Sequence, residues 1–157
     1  MGLRQRAAGF ALAAALAGAG APPCHAVESD TDPQAAADPD YAAGKKAIES
    51  RDWSAAIRHF ISAAQRTPAS ADIQNYLGFA NRNAGNLAAA FRHYRRALEL
   101  DPRHRGAHEY IGEAYLMMKD LGKAEEHLAA LDRICLLPCE EYADLKAKVA
   151  AYKKGAR

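Results

Sequence analysis

The sequence repeats at one fixed interval, and no other feature restricts its fold as tightly. Gly44, Gly78 and Gly112 stand 34 residues apart, and the same interval separates Ala56, Ala90 and Ala124, then Phe60, Tyr94 and Leu128, then Trp53, Leu87 and Leu121. It holds through three units without an insertion. A period of about 20–50 residues marks a chain built by stacking one supersecondary unit, since a single unit cannot bury its own apolar face.

The second unit shows what is being stacked. Ile73, Tyr76, Leu77 and Ala80 recur at helical steps, as do Leu87, Ala90, Phe91, Tyr94, Ala97 and Leu98. Gly85-Asn86 supplies a turn between the two stripes, and Asp101-Pro102 stops the second helix. Gly78 and Ala90 are small where the helices must approach closely, so Leu77 and Tyr94 can fill the space around them.

With Tyr76-Leu77-Gly78, then Gly85-Asn86-Leu87-Ala88-Ala89-Ala90, then Tyr94 and Ala97-Leu98-Glu99-Leu100-Asp101-Pro102, the chain resembles the tetratricopeptide repeat over residues 37–138. The resemblance implies an all-α fold, a right-handed superhelix of three helix-turn-helix repeats at 37–70, 71–104 and 105–138, closed by a capping helix within 139–157. Seven helices and no strands are expected. The cap carries Tyr142, Leu145, Val149 and Tyr152 at helical spacing, with Glu140 and Glu141 in its first turn and Lys153 and Lys154 near its end, an order that suits the helix dipole.

The first unit is looser. Ala43 stands where the others have Leu77 and Ile111, and Lys46 where they have Ala80 and Ala114. Its first helix, near Asp40 to Ser50, is therefore expected to be frayed or partly exposed, leaving an apolar end that allows a monomer or a weak homo-oligomer.

Residues 1–26 are a different kind of sequence. Arg4 and Arg6 precede an apolar run from Ala7 to Ala19 that ends in Ala21-Pro22-Pro23-Cys24-His25-Ala26, the layout of a secretory signal peptide cleaved after Ala26. The run is too short for a permanent membrane anchor, and Pro23 stands where a lipobox needs a small residue. The mature chain is expected in the periplasm or outside the cell, and residues 27–36, with Glu28, Asp30 and Asp32, read as a flexible acidic leader.

Cleavage changes the charge. The signal holds Arg4 and Arg6 and no acid, so 21 Lys+Arg against 19 Asp+Glu becomes 19 of each, which removes the electrostatic case for a nucleic-acid partner. It also removes Cys24, leaving Cys135 and Cys139. An even pair in an oxidising compartment suits a disulfide staple between the last repeat and the cap, with a redox or metal site as the alternative. Glu140 and Glu141 oppose thiolate formation, the spacing is one residue longer than Cys-x-x-Cys, and no further ligand adjoins the pair.

No phosphate loop, His-Glu-x-x-His or nucleophile elbow occurs, so neither an enzyme nor a cofactor is expected. His59, His93 and His127 also follow the 34-residue interval. Equivalent positions on stacked helices lie about 10 Å apart, whereas a zinc ligand sits about 2.0–2.1 Å from its ion, so these read as structural histidines. His104 and His108 have no evident second shell of groups to support an ion. Arg92, Arg95, Arg96, Arg103 and Arg105 are interleaved with Glu99 and Asp101 and read as a solvated face.

The resemblance implies function through a concave surface formed by the first helix of each unit. Carried over position by position, its candidates are Tyr41, Lys45 and Glu49, then Asn75, Phe79, Arg82 and Asn83, then Glu109, Glu113, Leu116 and Met117. Such a surface would hold a peptide or helical segment of another protein, here expected to be a protein of the cell envelope for which this chain acts as scaffold or assembly factor. The family's basic clamp for a C-terminal carboxylate is not matched, because Gly106, Glu109 and Glu113 stand where cations are needed. A partner offering Lys or Arg toward those glutamates fits better. The rival is a thiol-disulfide or metal-handling protein acting through Cys135 and Cys139.

Overall fold

A computed structural model describes residues 32–155. The described chain is helical: α1 (Pro33–Ala36), α2 (Pro39–Glu49), α3 (Trp53–Arg66), α4 (Ala71–Asn83), α5 (Leu87–Leu100), α6 (Arg105–Met117), α7 (Leu121–Ile134) and α8 (Glu140–Gly155), with no strand among the described residues. The signal segment, its cleavage point and leader residues 27–31 lie outside them. Helices α2/α3, α4/α5 and α6/α7 form successive pairs, and α8 packs on both α6 and α7.

The interval extends to the devices that begin and end the helices. Asp52, Asn86 and Asp120 cap α3, α5 and α7, accepting hydrogen bonds from the backbone N–H of Ala55, Ala89 and Lys123 at 2.9, 3.2 and 3.1 Å. Just before each cap the backbone turns left-handed, at Arg51 (φ 58°), Gly85 (φ 83°) and Lys119 (φ 61°). Only the second unit uses glycine there; the other two turns accept the strain of a side chain, roughly 1 kcal/mol each.

Close packing follows the small residues. Ala56, Ala90 and Ala124 are fully buried. A Cβ on Gly44 would stand 2.7 Å from the Phe60 ring, and one on Gly78 would collide with the Tyr94 ring. The third unit departs from the pattern. Leu128 is shorter than those rings, and the atom nearest a Cβ on Gly112 comes instead from Leu145 of α8, at 2.7 Å. Leu145 and Val149 join Ala124 and Leu131 in one core, with Leu128 and Tyr142 at its edge. The cap thus supplies what the third repeat lacks.

Three expectations need correction, all at the start of the array: the short α1 makes eight helices among the described residues where seven were expected, and two others concern the leader and the first repeat helix. The leader does not stay loose to residue 36: Ala35 is fully buried in the first core, and the Asp32 backbone N–H donates to Asp72 Oδ2 at 2.6 Å. Nor is the first helix frayed. Asp38 caps it at Asp40 and Tyr41, and the Arg66 guanidinium grips Asp38 twice, at 2.7 Å each, holding its carboxyl down at about 2. Tyr41 meets Phe60 and Tyr76 edge-on at 5.9 and 5.6 Å. Anchoring by ions and rings replaces the aliphatic contacts that Ala43 and Lys46 cannot make.

Each histidine of the periodic set bonds across to the first helix of its own unit. His59 Nδ1 meets Asp40 at 2.8 Å, His93 Nδ1 meets Gln74 at 2.9 Å, and His127 Nδ1 meets His108 Nδ1 at 2.9 Å. In the last pair, His108 Nε2–H donates to the Pro102 carbonyl at 3.1 Å, so His108 Nδ1 accepts and His127 Nδ1–H donates. Protonating His108 places two hydrogens between the rings. Burial lowers both pKa values, that of His127 to about 4, with His108 and Lys123 adding to the effect. A histidine depressed in the fold binds its proton more readily when unfolded, so its contribution is complete above about 6.5 and is lost as pH falls toward about 4. Thermal melts across that window should drop less for His127→Gln, which keeps a donor without the titration, than for the parent protein. Equal drops would dismiss the pair as the acid-sensitive element.

Candidate functional site

The first helices α4 and α6 pack side by side and α8 continues the row, while α2 reaches α4 through Tyr41 and Tyr76. Along this row the nominated residues separate into three groups. Tyr41, Lys45 and Glu49 line a cleft of about 420 Å³ with Ala36, Ala42 and Lys46. Tyr41 forms its floor at 4% exposure, and the Lys45 ammonium lies 5.8 Å and 6.0 Å from the Tyr41 and Tyr76 ring centres.

Asn75 and Glu109 are brought inside rather than to a surface, at 4% and 6% exposure. Asn75 faces the close approach of α4 and α6, where a Cβ on Gly106 would stand 3.1 Å from its Nδ2. Phe79 is half-buried between Trp53 and Tyr110, with ring centres 6.1 and 4.9 Å away.

Arg82, Asn83, Glu113, Leu116 and Met117 converge on a second cleft of about 430 Å³. Its sixth lining residue is Lys148 of α8, which sequence reasoning missed. Arg82 lies with its guanidinium carbon 5.4 Å from the centres of both the Phe79 and Tyr110 rings and pairs with Glu113. Lys148 pairs with Glu113 from the other side and reaches Glu109 at 3.5 Å. Asn83 donates to the Phe79 carbonyl at 2.8 Å, and Met117 is 56% exposed.

This network decides the electrostatics. Burial, reinforced by the neighbouring Glu113 charge, raises the Glu109 carboxyl well above its usual range. Burial acts on Glu113 in the same direction and is its largest single influence, yet Arg82 and Lys148 together outweigh it and hold Glu113 ionised. The sequence suggested that these glutamates await a partner's Lys or Arg. They are already neutralised within the chain, which leaves the apolar surface of Leu116 and Met117 as what the cleft offers, flanked by Asn83 and the ammonium of Lys148.

Cys135 and Cys139 bracket the turn between α7 and α8 with Cα atoms 5.9 Å apart, the separation a disulfide spans. The two leucines between them face solvent, Leu136 at 92% and Leu137 at 79% exposure.

Two family models, both described as tetratricopeptide repeat, match residues 41–102 and 81–149. No curated relative matches the chain in sequence. Among solved structures, the TPR2B-domain:pHsp70 complex of yeast Sti1 is similar at a TM-score of 0.69 and 18% identity, covering 79% of this chain and 98% of that one. PcrH in complex with the chaperone binding region of PopD gives 0.66 and 19%, covering 75% and 91%. The Sgt2 TPR domain from Aspergillus fumigatus gives 0.64 and 21%, covering 80% and 85%. Identities this low speak for the shared fold.

Proposed function

The chain belongs to the tetratricopeptide repeat family, whose fold serves protein interaction, and from that premise we propose an exported, non-enzymatic binding module that holds a segment of an envelope protein against its row of first helices. The observation that carries this reading is the convergence of Arg82, Asn83, Glu113, Leu116 and Met117, residues far apart in sequence, on one cleft. Two similar structures are complexes by their own description, Sti1 with pHsp70 and PcrH with the chaperone binding region of PopD.

In this reading the partner is recognised mainly by apolar side chains seated against Leu116 and Met117. The charges below them are internal and fix the shape of the cleft. Export follows from the signal-like residues 1–26, and the Cys135–Cys139 pair is closed as a staple in the oxidising compartment. Closing so short a loop contributes only about 2 kcal/mol in the chain-entropy model, so its role is to orient α8, which carries Lys148 into the cleft.

A photo-crosslinker placed at Met117 in the exported protein should give a defined adduct with one envelope protein. The same group at Gln65, an exposed position on α3, should give none. Mass analysis of the same preparation without reductant should find a chain beginning at Val27 and lighter by two hydrogens than its reduced form. Adducts from Gln65 alone would remove the cleft from the proposal, and a chain retained with residues 1–26 would remove export.

A further inference from the structure

The arginine cluster that reads as a solvated face in sequence does not behave as one group. Arg96 pairs with Glu99 at 3.0 Å and Arg105 reaches Glu141 at 3.6 Å. Arg92 and Arg95 enter no ion pair or hydrogen bond among the described residues, and both line a cleft of about 550 Å³ between α5 and the turn from α6 to α7. Phe91 and Tyr115 form its floor, with ring centres 4.7 Å apart, and Met118, 57% exposed, stands at its rim. Lys123 lies 5.7 Å from the Tyr115 ring centre, and the one carboxylate of the lining, Asp120, is occupied as the cap of α7.

The repeat provides an internal control. One interval earlier, the residues equivalent to Phe91, Arg92, Arg95, Tyr115 and Met118 are Ile57, Arg58, Ile61, Asn81 and Ala84. The aromatic floor, the second arginine and the methionine are therefore not inherited with the repeat. Arginine, tyrosine and methionine flanking an open apolar floor are the residues that concentrate binding energy at interfaces.

The complementary surface is present on the same chain. Leu136 and Leu137 project from the turn between α7 and α8 at 92% and 79% exposure, far more than the other exposed large apolar side chains among the described residues. Asp132 and Glu140 flank them, both exposed and without an ion pair or hydrogen bond among the described residues. The turn is braced by Cys135, Pro138 and Cys139, which narrows the conformations open to it and so lowers the entropy lost on docking. An apolar pair between carboxylates is what an apolar floor between guanidinium groups fits. The two surfaces sit at opposite ends of α7, whose 14 residues separate them by about 20 Å, so one chain cannot fill its own cleft.

We propose that the cleft of Phe91, Arg92, Arg95, Tyr115 and Met118 receives the Leu136-Leu137 turn of a second copy of this chain, so that copies associate head to tail. Because the two surfaces differ, the contact is heterologous and continues into rings or open chains. It is independent of the cleft at Met117 and stands or falls without it.

Sedimentation velocity over a concentration series tests this. The parent protein should associate as concentration rises, and less so at high salt. Arg92→Glu with Arg95→Glu, and separately Leu136→Ser with Leu137→Ser, should each sediment as monomers at least about tenfold higher in concentration. All four side chains are exposed, and unchanged thermal melts would show that both variants fold. Mixing the two variants restores one intact cleft and one intact turn, so the mixture should form a one-to-one dimer and nothing larger. A parent protein that stays monomeric, variants that associate as the parent does, or a mixture that does not pair would each overturn the proposal.

Discussion

Replacing Glu113 with alanine is expected to destabilise the array by about 3–5 kcal/mol, the cost of leaving a buried charge without its partner. The Arg82 side chain is 9% exposed and sits between the Phe79 and Tyr110 rings, where its remaining neighbour is the Tyr110 carbonyl at 3.5 Å. Lys148 suffers less because its side chain is 45% exposed and can turn to solvent or to Glu109. Converting the pair together, Arg82→Met with Glu113→Leu, should recover most of the loss, since two apolar side chains of similar volume need no compensation. Chemical denaturation of the single and double variants measures both effects. A loss below about 1 kcal/mol for Glu113→Ala would mean that the pair behaves as a surface salt bridge.

The second large effect is expected at Tyr94, whose ring is fully buried and fills the space that Gly78 leaves open. Tyr94→Ala should cost about 3–5 kcal/mol through lost burial and the cavity left behind. Tyr94→Phe should cost little or raise stability, because the hydroxyl is buried with no hydrogen-bond partner among the described residues. The first unit already uses Phe60 at this position. Gly78→Ala should be harmful beside the intact ring and tolerated beside Tyr94→Ala, where the new methyl has room. A Tyr94→Phe variant as unstable as Tyr94→Ala would show that the hydroxyl has a role that the geometry does not supply.

Much of the candidate site was legible in the sequence because the interval projects positions from one repeat onto the next. Arg82, Asn83, Glu113, Leu116 and Met117 were nominated that way and stand around one cleft. Lys148 was not, because one interval before it stands Ala114, a fully buried core residue, so projection along the repeat assigns that position to the core rather than to the cleft. Asn75 and Glu109 occupy positions of the same nominated set yet are buried, since whether a groove position faces solvent depends on how closely the next helix approaches.

The histidines show the same division. Their interval is visible in the sequence, but the partners across the helix pair are Asp40, Gln74 and His108, three chemistries at one position. The sequence names these three residues, which themselves stand 34 apart, but only the tertiary structure shows that they are the ones the histidines meet.

By itself the sequence determined the repeat, the helix pairs, their turns and the small residues that let them touch, because each depends on local conformation and on spacing along the chain. It also determined that the charges of the two signs balance once residues 1–26 are set aside. Only the tertiary structure decided that Glu109 and Glu113 are paired internally, that α8 completes the third repeat, and that Arg92 and Arg95, unlike Arg96 and Arg105, enter no ion pair among the described residues. Those outcomes turn on which side chains from distant segments come within a few ångströms and how much water remains between them. Periodicity gives the face a residue occupies; the partner it meets there is set by the packing of the whole array.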